Sequence, residues 1–131
     1  MNINNYLQTG VSVNVTADAG TGKTWFIIAK ILRMLLDDVS PEKITAITFT
    51  KKSSVEMRER LNAKMELWGK LSDTEIRKEL NSIGINKRLD FYKKKARNLF
   101  IKTQISNKDI RIATFDAFFM DILSQFHLDK E

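Results

Sequence analysis

The stretch Ala17-Asp-Ala-Gly-Thr-Gly-Lys-Thr24 constrains this chain more than any other. It has the phosphate-loop spacing: a small residue, four others, then Gly-Lys-Thr. Such a loop works only between a buried strand and the helix that follows it, so its presence dictates an α/β arrangement. Gly20 and Gly22 tolerate positive φ and let the backbone approach phosphates closely. Consecutive N–H groups then form an anion nest, backed by the N-terminus of the following helix. Residues Ala17, Asp18, Ala19, Gly20, Thr21, Gly22, Lys23 and Thr24 are the candidate nucleotide site. Lys23 is placed to reach the β- and γ-phosphate oxygens, and Thr24 offers its hydroxyl to Mg²⁺. The ligand implied is a nucleoside triphosphate with Mg²⁺.

The flanking sequence agrees. Val11–Thr16 alternates apolar and polar at period two and reads as a strand, and Thr24–Leu36 reads as a helix apolar nearly all round, expected to be largely buried. Asp37-Asp38 and Ser40-Pro41 mark a turn, and Ile44–Thr50 a second strand. Ser53-Ser-Val-Glu56 has capping-box spacing for a helix running to Trp68, with Gly69 as a left-handed stop. Ser72-Asp-Thr-Glu75 is a second capping box, opening a short helix that ends near Gly84. A helix over Lys87–Lys102 places Leu89, Tyr92, Ala96, Leu99 and Phe100 on one face. Ile110–Thr114 is a third strand, followed by Phe115, Phe118, Phe119, Ile122, Leu123 and Phe126 at helical spacing. That spacing makes the phenylalanines core candidates rather than a stacking platform, and Trp25 is read as buried too. Strands separated by helices imply βαβ crossovers and a parallel sheet. Residues 1–70 and 108–131 form the phosphate-loop domain in this reading, with 71–107 a helical insertion.

Composition excludes several classes. There is no Cys, hence no disulfide framework or thiolate metal site. No apolar run approaches a membrane span and no signal pattern opens the chain, so a reducing, cytoplasmic setting without a membrane partner is expected. The formal charge of +6 is concentrated. Between Lys87 and Lys102 there are seven basic residues and one acid, while the rest of the chain balances at 15 against 15. An anionic partner such as nucleic acid fits this helix, with Lys93, Lys94 and Lys95 the candidate contacts; a solvated helical face explains the same charges.

Three segments, Val15–Thr24, Ile47-Thr-Phe-Thr-Lys-Lys-Ser-Ser-Val-Glu-Met-Arg-Glu-Arg60 and Ile112-Ala-Thr-Phe-Asp-Ala-Phe118, resemble in order and spacing motifs I, Ia and Ib of UvrD-like superfamily 1 DNA helicases. Within these the chain is most similar to the AddA-type helicase-nucleases of double-strand-break repair, relatives of RecB. The resemblance spans roughly Val11 to the end. It implies a RecA-like ATPase domain, incomplete here, in a motor that moves on single-stranded or duplex-end DNA. Motif I then corresponds to Gly20, Gly22, Lys23 and Thr24. Thr48, Phe49, Thr50 and Lys51 correspond to motif Ia on the single-stranded DNA track, and Thr114 and Phe115 to the start of motif Ib on the same track. The insertion corresponds to the start of a subdomain that leans over DNA. The implied protein partners are the remainder of the helicase-nuclease polypeptide and a partner nuclease subunit.

The chain also departs from the family pattern. Asp116 stands where motif Ib has His, Ser53-Ser54 replaces a small apolar pair, and no Asp-Glu metal-and-water motif occurs. ATP binding is therefore expected, with hydrolysis and unwinding dependent on parts the chain lacks. It reads as an N-terminal fragment, a split gene product or a remnant. Two other readings stay open: a small phosphotransferase or NTPase using Lys23, Thr24 and Asp116, and a non-catalytic module binding single-stranded nucleic acid. His127, the only His, is assigned no role.

Overall fold

The computed structural model describes residues 23–129. The expected strand Val11–Thr16 and the loop residues Ala17, Asp18, Ala19, Gly20, Thr21 and Gly22 lie outside the described residues. What is described is mixed α/β: two parallel strands and a preponderance of helix.

Helix α1, Lys23–Leu36, buries Phe26, Ile28, Ala29, Ile31, Leu32, Leu35 and Leu36, as its nearly all-apolar sequence requires. Asp38, at φ 64°, turns the chain out of the helix, and the single 3₁₀ turn Pro41–Lys43 leads into β1, Thr45–Thr48. Along β1 the side chains alternate, with Ala46 and Thr48 inward and Thr45 and Ile47 outward.

Helix α2, Lys51–Trp68, presents Met57, Leu61, Met65 and Trp68 to the core from one face. Its cap is Thr50, whose hydroxyl accepts from the Ser53 amide at 3.0 Å, and not Ser53 with Glu56. Strand pairing ends at Thr48, which leaves Thr50 as the extended residue and pulls the cap one turn earlier. Gly69 is likewise right-handed at φ −69°, because Lys70 and Leu71 continue the turn with bonds to the Leu67 carbonyl. The left-handed positions among the described residues are Asp38, Gly84 and Arg88.

Helix α3, Asp73–Ser82, opens with the expected capping box. The Glu75 amide donates to Ser72 Oγ at 3.3 Å and the Ser72 amide to Glu75 Oε2 at 3.2 Å. It buries Ile76 and Leu80, and Ile83 and Ile85 follow them into the core. Helix α4, Leu89–Ile105, is the basic helix, and Ala96 and Leu99 seat it with Leu89, Tyr92 and Phe100 packed alongside. Trp68, fully buried where α2 meets α3, donates from Nε1 to Glu79 Oε2 at 3.1 Å, and Lys64 pairs with the same oxygen at 2.6 Å.

Strand β2, Arg111–Thr114, pairs parallel with β1 in the register Thr45↔Arg111 through Thr48↔Thr114. Arg58 of α2 fixes its entry, with Nη1 on both Asp109 carboxylate oxygens at 3.0 and 2.9 Å and Nη2 on the Ile110 carbonyl at 2.9 Å. Helix α5, Phe115–Asp129, follows at once, and the Ala117 amide donates to Thr114 Oγ1 at 3.2 Å.

Helix α5 departs from expectation in its packing. Phe115, Phe119 and Phe126 are 56%, 50% and 58% exposed and Phe118 is half-buried, so the spacing is helical but the stripe is not core. Among the described residues the helix packs against both strands of a two-stranded sheet, which covers only part of it. Phe115 and Phe119 stack on each other at 6.1 Å, and Phe118 lies 5.3 Å from the Arg111 guanidinium. Trp25 is also exposed rather than buried: it shares a helical face with the buried Ile28, Ala29 and Leu32 but stands in the first turn of α1, at the end of that stripe.

Candidate nucleotide and nucleic-acid site

Parallel strands in register end together. Thr48 and Thr114 are partners, so Phe49 and Phe115 emerge side by side at the C-terminal end of the sheet. That end is where open α/β sheets bind ligands. Lys23 and Thr24 are the first two residues of α1, and no acidic residue stands in its first turn. The Lys23 ammonium lies 4.6 Å from the centroid of the Phe49 ring, itself 81% exposed. The structure thus brings Lys23 and Phe49, which are 26 residues apart in sequence, into contact.

The neighbouring hydroxyls are engaged within the chain. Thr48 is buried, donates to the Thr50 carbonyl at 3.1 Å and shares a short hydrogen bond with Ser54 Oγ. Thr50 Oγ1 caps α2 and donates to Ser53 Oγ at 2.8 Å, while Thr114 Oγ1 serves the first turn of α5. Phe49, Thr50, Lys51 and Phe115 are the members of this group that face solvent, Thr50 with its hydroxyl committed to the α2 cap, and Lys51 forms no ion pair among the described residues. Asp116 lies exposed in the first turn of α5. No cluster of His, Cys, Asp or Glu able to hold a metal occurs among the described residues.

The basic helix is tied to the body by its charges. Lys93 meets Asp73 at 3.3 Å and Asp90 at 3.8 Å, and Arg97 donates to Asp73 at 2.7 Å and to the Leu71 carbonyl at 2.7 Å. Lys95 bonds Asp38 and donates to the Leu36 carbonyl at 3.2 Å, with Lys102 3.6 Å from Asp38 on its other oxygen. These contacts hold the Asp38 carboxyl below its ordinary value, chiefly through the Lys95 hydrogen bond. They hold Asp73 down chiefly through the Arg97 hydrogen bond, then Lys93. Tyr92 donates to Asp37 Oδ1 at 2.7 Å, and that bond, reinforced by partial burial, raises the phenol. Burial, then the nearby Arg33, lowers the Lys30 ammonium.

Four of the seven cations, Lys93, Lys95, Arg97 and Lys102, are thus paired with Asp38, Asp73 or Asp90, and among the described residues no ion pair involves Lys87, Arg88 or Lys94. Of the three lysines singled out in the sequence, Lys94 is the exposed one. Phe91 was not among the sequence candidates. Its 43% exposed ring lies 4.2 Å from the Arg88 guanidinium and 4.8 Å from Lys95 Nζ. Its signal was available, since Arg88, Phe91 and Lys95 share a helical face by spacing.

The family model described as the UvrD/REP helicase N-terminal domain matches residues 3–131. The chain belongs to the UvrD/REP helicase family. Among curated relatives, the ATP-dependent helicase/nuclease AddA of Lactobacillus johnsonii is 31% identical over 126 residues, covering 95% of this chain and 8% of that protein. The same-named protein of Levilactobacillus brevis is 31% identical over 121 residues, 92% of this chain and 8% of that one. That of Leuconostoc mesenteroides is 39% identical over 66 residues, half of this chain. This UvrD/REP chain thus spans about 8% of the length of the first two relatives. No solved structure matches it. No helix among the described residues is long and apolar enough to cross a membrane.

Proposed function

We propose that this chain is the ATP-binding N-terminal segment of an AddA-type, ATP-dependent DNA helicase acting in double-strand-break repair and recombination. The fold in this reading is the phosphate-loop, RecA-like one, with 71–107 as its helical insertion. The observation that carries it is the meeting of Lys23 with Phe49 at the C-terminal end of parallel strands, in a chain of the UvrD/REP family. A triphosphate fits the residues present: α1 begins with an ammonium and a hydroxyl and has no carboxylate in its first turn to repel an anion. Residues 17–22 would cradle the phosphates with backbone amides, Lys23 would neutralise the terminal phosphates, and the Thr24 hydroxyl would be a Mg²⁺ ligand. When bound and held by the Thr24 hydroxyl, Mg²⁺ would supply positive charge that offsets the negative charge of the triphosphate.

DNA contact in this reading comes from Phe49, Lys51 and Phe115 at the strand ends and from the basic helix, where Lys94 has the freest charge. Thr48, Thr50 and Thr114 contribute by shaping the strand ends that present those side chains. The sequence contains no Asp-Glu dipeptide, which supports a chain that binds ATP without turning it over by itself. The partners are single-stranded or duplex-end DNA, the rest of a helicase-nuclease polypeptide and a second nuclease protein.

The test is binding of a fluorescent ATP analogue with Mg²⁺, expected for the wild type and lost in Lys23→Ala. Multiple turnover of ATP that disappears in Asp116→Asn would replace this reading with the small-enzyme one. Oligo(dT) binding should weaken with salt, and Lys94→Ala should lower the log–log salt slope by about 0.7, the value of one single-strand phosphate contact. An unchanged slope would remove the basic helix from the DNA surface.

A further inference from the structure

The segments that lead into β1 and β2 frame a recess at the N-terminal end of the sheet, away from Phe49 and Phe115. Two cavities of about 270 and 360 Å³ lie there. Both are lined by Pro41, Thr103, Ser106 and Lys108, so they run together as one groove between the Pro41 turn and the end of α4. The two halves differ in chemistry. In the first, Leu35, Val39 and Leu99 supply apolar surface, and Lys102 and Lys108 bring two ammonium groups. In the second, Asn62 of α2, Gln104 of α4 and Asn107 of the following connection bring three carboxamides. None of these carboxamides is hydrogen-bonded among the described residues. We propose that this groove docks an extended, internal peptide segment of a partner protein, in which an apolar side chain adjoins a single carboxylate.

Charge selects this occupant. Four cations stand at the groove, Arg58, Lys95, Lys102 and Lys108, against three carboxylates, Asp38, Glu42 and Asp109. Arg58 holds Asp109 at 2.9 Å, and Lys95 holds Asp38 closely. Lys102 reaches Asp38 only at 3.6 Å and Lys108 reaches Glu42 at 3.5 Å, the long end of an ion pair. One positive charge is thus in excess, beside two loosely held ammonium groups that can turn to an incoming carboxylate. A nucleic-acid strand fits less well, because it would carry a charge at every nucleotide past three fixed carboxylates. The carboxamides complete the match, since each both donates and accepts, as the N–H and C=O groups of a peptide backbone require. The apolar half then takes the side chain that gives the segment its hold.

The experiment titrates the peptide acetyl-Ser-Thr-Leu-Asp-Thr-Ser-amide into the isotope-labelled full chain and follows the backbone amide resonances by NMR. Shifts should concentrate at Val39, Ser40, Ser106, Asn107 and Lys108, leaving Phe49 and Phe115 unmoved. Serine in place of the peptide's leucine should weaken binding about tenfold or more. Asparagine in place of its aspartate should weaken binding about two- to fivefold, the worth of an exposed ion pair. In the chain carrying Lys102→Gln and Lys108→Gln, the aspartate and asparagine peptides should bind equally. Both lysines are exposed, so this variant should keep the wild-type circular dichroism melt. Absence of shifts at the groove, equal binding of the leucine and serine peptides, or a preference for aspartate that survives in the double variant would each overturn the proposal. Oligo(dT) moving the groove amides more strongly than the peptide does would also overturn it, and would make the groove a nucleic-acid surface.

Discussion

Trp68 has no exposed surface, and its indole nitrogen ends on Glu79, which also holds Lys64. Trp68→Ala should cost about 3–5 kcal/mol, read as a lower urea midpoint at unchanged slope. Thr50 is the opposite kind of residue, exposed and small, yet its hydroxyl starts α2. Thr50→Ala should cost about 1 kcal/mol in the same assay. Its role was hard to read in the sequence because two hydroxyl frames overlap, Thr50 with Ser53 and Ser53 with Glu56. Local spacing alone does not choose between them; the end of the β1–β2 ladder does. The Ser72–Glu75 box has no such competitor and was legible outright. Trp25 and the phenylalanines of α5 were misread for a different reason. Periodicity reports which residues share a face, and whether that face is covered depends on what lies above it.

Among the elements, α4 shows how a charged helix is docked. Its apolar stripe was legible in the sequence, but its partners Asp37, Asp38 and Asp73 lie on distant turns and helix starts. Only the tertiary structure brings them to Lys95, Arg97 and Tyr92. The consequence is a stability that depends on pH at both ends. Asp38 and Asp73 have folded values below the ordinary 3.8, so the unfolded chain takes up protons first as acid is added. Their contribution is full above 3.8 and is lost as pH falls through the depressed folded values. Tyr92 is raised above 10.0, so its contribution is full below that value and is lost as pH rises through the folded one. Urea midpoints should fall on both sides. Asp38→Asn and Asp73→Asn should flatten the acid limb, and Tyr92→Phe the alkaline one. A Tyr92→Phe protein with the wild-type alkaline limb would show that another group governs it.

For the molecule as a whole, the two faces of the structure differ sharply. The side built from α1 to α4 is closed around one core, whereas Ile47, Phe49, Phe119, Met120, Leu123 and Phe126 leave the sheet and α5 apolar and open. Contiguous exposed apolar surface of this kind promotes association. The isolated chain should sediment with a concentration-dependent mass, and Phe119→Lys with Leu123→Lys should return it to the monomer value. The α/β pattern was readable from residue spacing. The closed side and the open side were not, because the same apolar residues serve both. The parallel pairing of β1 with β2 also has a kinetic consequence. The strands that join Thr45 to Arg111 are separated in sequence by the whole run of α2, α3 and α4. Closing so long a loop before its contents are compact is entropically costly, whereas helices with short connections form quickly. The helices between the strands are therefore expected to condense first and carry the two strand ends together. Destabilising α3 should slow the appearance of the sheet, although α3 contributes neither of its strands.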